Sequence, residues 1–145
     1  MKPLVQKSLL AGIAATAVMT MVTMVAPYMG FPPMSPPDML AGMLGLPVAF
    51  GWLMHFMIGT IFALSYSFLF MDRSKVSNLL VKGALFGFAV FVFAQIVMAM
   101  MGAIMGPMPT PQGSMLLLML GSILGHVIYG IVVAFIVGRE VSLAL

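Results

Sequence analysis

VAFGWLMHFMIGTIFALSYSFLFM, residues 48–71, runs without one Asp, Glu, Lys or Arg, and it carries a histidine, His55, in the middle of its apolar stretch GWLMHFMIGT. About 20 apolar residues in helical form cross a hydrocarbon core of ~30 Å, so this run is long enough to span a bilayer. Three further runs, 8–30, 78–103 and 114–138, are as long and as apolar. Composition agrees with them. Hydrophobic residues make up 63% of the chain, charged residues 6%, and the mean hydropathy is +1.20, far outside the range of soluble domains. The expected fold is all-α: a polytopic membrane four-helix bundle forming a single transmembrane domain over residues 1–145. Lys2 and Lys7 before the first run give it the look of a secretory leader. The run continues past the usual length of one and has no A-x-A-like site after it, so it is read as a membrane helix of a chain that starts at Met1.

The basic residues set the orientation. Lys2 and Lys7 precede the first run, Arg73, Lys75 and Lys82 lie in or beside the connection between the second and third, and Arg139 follows the fourth. The other two connections, 31–47 and 104–113, contain no Lys or Arg. All six cations fall on one side if both termini are cytoplasmic, as the positive-inside rule requires. The sequence pI near 9.6 reflects these anchors. It leaves no basic patch for phosphates, so nucleic acid is not an expected partner.

Several chemistries lack their residues. There is no Cys, hence no thiolate metal site and no cysteine nucleophile. The acids are Asp38, Asp72 and Glu140, all outside the apolar runs, so no carboxylate pair serves acid and base work and no intramembrane acid marks a proton relay. No HExxH, nucleophile elbow or phosphate-binding glycine loop occurs. The expected role is therefore non-enzymatic.

In the first uncharged connection, FPPMSPPDMLAGMLGLP, Ser35 is placed to cap a short interfacial helix with Pro36, Pro37 and Asp38 in its first turn and Gly45 at its end. The second, IMGPMPTPQG, is likewise proline-rich, which predicts a stiff loop at the outer surface.

Sliding the chain on itself by 71 residues aligns Gly12 with Gly83, His55 with His126, Gly59 with Gly130 and Ala63 with Ala134. Two helical hairpins, residues 8–71 and 78–138, are the expected repeats. Each holds an even number of spans, so the copies would be parallel and related by an axis along the membrane normal. The chain has only these two histidines, and both sit on ridges of small residues at i, i+4 spacing: Gly51, His55, Gly59 and Ala63 on one helix, Ser122, His126, Gly130 and Ala134 on the other. Such ridges let helices approach closely in lipid, so both histidines are expected to face protein.

Three readings of the pair remain open. The imidazoles can be structural, hydrogen-bonded to Thr16, Thr20 or Gln95, because an unpaired polar group in hydrocarbon is costly. They can ligate a b-type haem from two helices, with Gly51, Gly59 and Gly130 making room for the macrocycle. Or they can join thioethers in a Cu(I) site: 16 of the 18 methionines fall in 19–57 or 98–119, and MTMVTM and MAMM place Met19, Met24, Met98 and Met101 as candidates. Methionine also fills irregular gaps in cores. In the first reading no cofactor is bound.

With AGIAATAVMTM, PPMSPPDMLAG and GWLMHFMIG assembled, the chain resembles small bacterial inner-membrane proteins of unknown function, four-helix units with similarly placed Gly, Pro and His. The resemblance implies a multi-pass protein of the bacterial inner membrane. In contact with the lipid bilayer, the expected role is a binding or accessory subunit, as a homo-oligomer or within a larger respiratory or energy-converting membrane complex.

Overall fold

The computed structural model describes residues 2–106 and 113–138. Arg139, Glu140, Thr110 and most of the second uncharged connection lie outside the described residues. Four helices are long and apolar enough to cross a membrane: Lys2–Met29, Val48–Phe70, Leu79–Met105 and Met115–Gly138. The chain is thus a multi-pass membrane protein.

Helix α1 (Lys2–Val25) starts six residues earlier than the apolar run, carrying Lys2 and Lys7 on its first turns. It tightens into a 3-10 turn at Ala26–Met29, where Pro27 has no N–H to continue the α ladder. Gly30, at φ 89°, closes the end and donates its N–H to Pro27 at 3.1 Å. Helix α2 (Pro36–Leu44) has the caps its sequence implies: the Ser35 hydroxyl accepts from the Asp38 N–H at 3.4 Å, and Gly45 terminates it at φ 64°. Helix α3 (Val48–Ser65) widens into one π-helical turn at Tyr66–Phe70, closed by the Met71 N–H on the Tyr66 carbonyl at 2.8 Å. Helix α4 (Leu79–Met105) is capped by Asn78, whose side-chain oxygen accepts from Leu80 and Val81. Lys82 folds back from α4 and donates to the Met71 carbonyl at 3.2 Å, tying down the connection. Helix α5 (Met115–Gly138) completes the bundle.

Glycines decide which helices touch. A methyl group on Gly12 would stand 2.5 Å from the Thr60 Cα and 3.2 Å from the Ala63 side chain, so α1 and α3 lie nearly backbone to backbone. On α4, a methyl on Gly83 would stand 2.6 Å from the Ile131 Cα and 2.9 Å from Ala134. Adding 71 to 12, 60 and 63 gives 83, 131 and 134. The same shift carries the contact of Gly59 with Thr16 onto that of Gly130 with Gly87. At these two glycines the α1·α3 and α4·α5 pairs approach in corresponding ways. In lipid, where no hydrophobic force draws helices together, such close contact supplies the association.

The two seams that join these pairs differ. Gly125 of α5 lets Met19 and Thr23 of α1 lie against its backbone, whereas the residue 71 positions earlier is Met54. Ala15, fully buried on α1, corresponds to Phe86. The first seam is thus close, while α3 and α4 meet through rings: Phe62 with Phe93 at 5.5 Å, Tyr66 with Phe86 at 5.0 Å, and Phe70 with Phe86 at 5.3 Å. Large side chains on one seam and small ones on the other leave room inside the bundle beside α3 and α4.

Candidate functional site

The room is occupied by polar groups from three helices. His55 sits on the buried face of α3, and its Nε2 lies 3.0 Å from the Thr20 hydroxyl of α1. That hydroxyl has one proton, which it donates to the Thr16 carbonyl at 2.7 Å. It therefore accepts from His55, and the proton of the neutral ring is on Nε2. On α5, Nδ1 of His126 lies 2.7 Å from the Ser122 carbonyl, which can only accept. Its ring is thus protonated on Nδ1. Nδ1 of His55 and Nε2 of His126 keep unused lone pairs, since neither ring makes a further hydrogen bond among the described residues.

The two rings line one cavity of about 80 Å³. Met19, Thr16, Gly59 and Tyr129 share the wall, with Ile58, Phe62, Val90 and Ala94 on the side of the α3–α4 seam. The Tyr129 hydroxyl donates to the Gly59 carbonyl, bridging the two helical pairs. Thr16 is 1% exposed, and its hydroxyl has no hydrogen-bond partner among the described residues. The Tyr66 hydroxyl is the other buried side-chain polar group without a partner among the described residues. At the position equivalent to Thr20, 20 plus 71, stands Phe91, whose ring meets His126 edge-on at 5.8 Å. The two histidines therefore occupy corresponding positions with different neighbours, one polar and one aromatic.

The other residues singled out in the sequence scatter. Gln95 is exposed on α4 and outside this cluster. Met24 is 62% exposed, and Met98 and Met101 are half-buried without reaching the cavity. Gly51 is covered by the Pro37 carbonyl and Ala41 of α2, Gly59 by Thr16, and Gly130 by the backbone of Gly83 and Gly87. The space these glycines leave is filled by neighbouring helices. Among the described residues no three His, Cys, Asp or Glu side chains come together. Met19 is the one methionine that lines the cavity together with the two histidines.

A family model, described as a family of unknown function (DUF6789), matches residues 3–142. The chain belongs to this family. No curated protein and no solved structure matches it.

For this DUF6789 member, one contributor to the site, Tyr129, was not legible in the sequence. Tyr129 is one helical turn beyond His126, but its partner is a glycine carbonyl 70 residues away, and no residue type signals a carbonyl acceptor. Of the threonines expected as histidine partners, Thr20 takes that role by accepting from His55, while Thr16 is pressed against Gly59.

Proposed function

We propose that this protein acts in the bacterial inner membrane by binding Cu(I) between His55, His126 and Met19. The observation that carries this reading is the pair of free imidazole nitrogens on one cavity, each ring being held through its other nitrogen. Metal-binding histidines characteristically donate that second N–H to a carbonyl or another acceptor, which fixes the tautomer and aims the ligand nitrogen. His126 donates to Ser122, and His55 to Thr20, itself tied to the Thr16 carbonyl.

Charge and softness select the ion. The cavity is lined by neutral groups only, so a divalent cation would bring two uncompensated charges into hydrocarbon, whereas a monovalent one brings a single charge. Thioether and imidazole together suit Cu(I). The volume of about 80 Å³ accommodates an ion with a water molecule. Haem requires these helices to separate, because pockets for ligands of that size occupy ~300–1,000 Å³ and the flanking glycines are already covered.

A structural role is the second reading. Thr20 gives His55 a partner of the kind that holds membrane helices together. One measurement separates the two. Protein purified in mild detergent is exposed to Cu(I) without oxygen, desalted and analysed for metal. Close to one copper per chain, lost in His55→Ala and His126→Ala and weakened in Met19→Leu, is the expected result. A folded chain that retains no copper leaves the structural reading in place, and a strong Soret band after haem-replete expression favours haem.

A further inference from the structure

The same glycine ridge that admits Met19 to the site holds a second methionine one turn higher. A methyl on Gly125 would meet Met19 at 3.5 Å from its Cγ and 3.6 Å from its Cε. At Gly121, four residues earlier on α5, the methyl would meet Met34 at 2.5 Å from its Cε and 3.7 Å from its Sδ. Residues four apart lie on one helix face with side-chain origins ~5–6 Å apart. Met34 and Met19 are therefore stacked in consecutive notches of α5, the lower one lining the histidine cavity.

Beside them lies another small cavity, about 40 Å³, walled by Val22, Thr23, Met29, Phe31, Gly121 and Leu124. Met29 is 75% exposed, so it presents its thioether at the surface beside this cavity. Three methionines thus descend from the Lys- and Arg-free end of the bundle: Met29 at the mouth, Met34 over Gly121, and Met19 over Gly125. Asp38 is the only charged residue between Lys7 and Asp72, and it is exposed on α2 at this end. The opposite end carries Lys2, Lys7, Arg73, Lys75 and Lys82. A cation meets attraction at one end and repulsion at the other.

We infer that soft monovalent metal reaches the histidine site from the Lys- and Arg-free end, handed along the thioethers of Met29, Met34 and Met19. This rests on the Cu(I) reading above. Each transfer exchanges one neutral sulfur ligand for the next on an ion that stays Cu(I), so no electron or proton moves. Met29 and Met34 govern the rate of loading, while Met19 and the histidines govern how tightly the metal is held.

Rate and affinity are separated by following transfer of Cu(I) from its complex with bicinchoninate, whose colour is lost as the protein takes the metal. Met34→Leu and Met29→Leu should load several-fold more slowly and reach the wild-type endpoint. Met34→Cys, which restores a soft sulfur, should recover most of the rate, a rescue that a packing role does not explain. Met57→Leu, exposed on α3, should load as wild type does. Normal loading rates in both Met29→Leu and Met34→Leu overturn the route while leaving the site intact. Absence of any copper transfer to the wild-type protein overturns the route together with the reading on which it rests.

Discussion

The Thr20 hydroxyl on α1 stands 3.0 Å from Nε2 of His55 on α3, and because Thr20 spends its own proton on the Thr16 carbonyl, it is the acceptor of the pair. One threonine therefore fixes both the position and the tautomer of a histidine inside the membrane. The consequences can be measured.

Replacing Thr20 by Val keeps the shape and removes the acceptor. The His55 N–H then faces hydrocarbon without a partner, and the loss should be ~1–2 kcal/mol, measured by unfolding in mixed micelles. Copper affinity should fall by ~10–100-fold, the usual effect of deleting an outer hydrogen bond to a ligand histidine. Thr20→Ser should restore both. A Thr20→Val protein as stable as wild type would mean that the bond adds nothing to the fold.

Gly12→Ala and Gly83→Ala should behave as a matched pair. Each new methyl would press on a helix backbone, at 2.5 Å from Thr60 and 2.6 Å from Ile131. Overpacking of this kind costs ~1–3 kcal/mol, and the two losses should be similar because the contacts correspond. Gly102→Ala, with nothing within 4 Å of its methyl among the described residues, should be neutral or gain ~0.5–1 kcal/mol from helix propensity. Thermal unfolding of the three variants in one detergent checks the ordering.

Two buried tyrosines should respond in opposite senses. Tyr129→Phe removes the hydrogen bond to the Gly59 carbonyl that joins the two helical pairs, at a cost of ~1 kcal/mol. The Tyr66 hydroxyl is buried without a partner, so Tyr66→Phe relieves an unpaired polar group and should be neutral or stabilising. Equal losses in the two variants would contradict the assignment.

Orientation can be read with single cysteines, since the chain has none of its own. Gly42 on α2 and Lys75 in the cationic connection are both exposed. A membrane-impermeant maleimide should label Gly42→Cys on intact cells and Lys75→Cys only after permeabilisation. The reverse pattern would invert the protein in the membrane.

The four spans and the Ser35 and Gly45 caps were legible in the sequence because each depends on local chemistry. An apolar run of sufficient length has no stable place except lipid, and a helix in lipid satisfies its own backbone. Caps likewise involve residues three or four apart. At the 71-residue spacing that aligns His55 with His126, the contacts of Gly12 and Gly59 have counterparts at Gly83 and Gly130. What the sequence left open was where each side chain is aimed across the bundle. That depends on how closely two helices approach, and the approach is set by pairs of residues far apart in the chain: Gly12 against Thr60, Gly83 against Ile131, Gly125 against Met19. Only the packed structure placed both histidines on one cavity, gave His55 to Thr20, left the Thr16 hydroxyl without a partner among the described residues, and turned Gln95 outward. Hydropathy fixes that a helix crosses the membrane, but rotation about its own axis changes no hydropathy sum, so tertiary contact alone decides which faces meet.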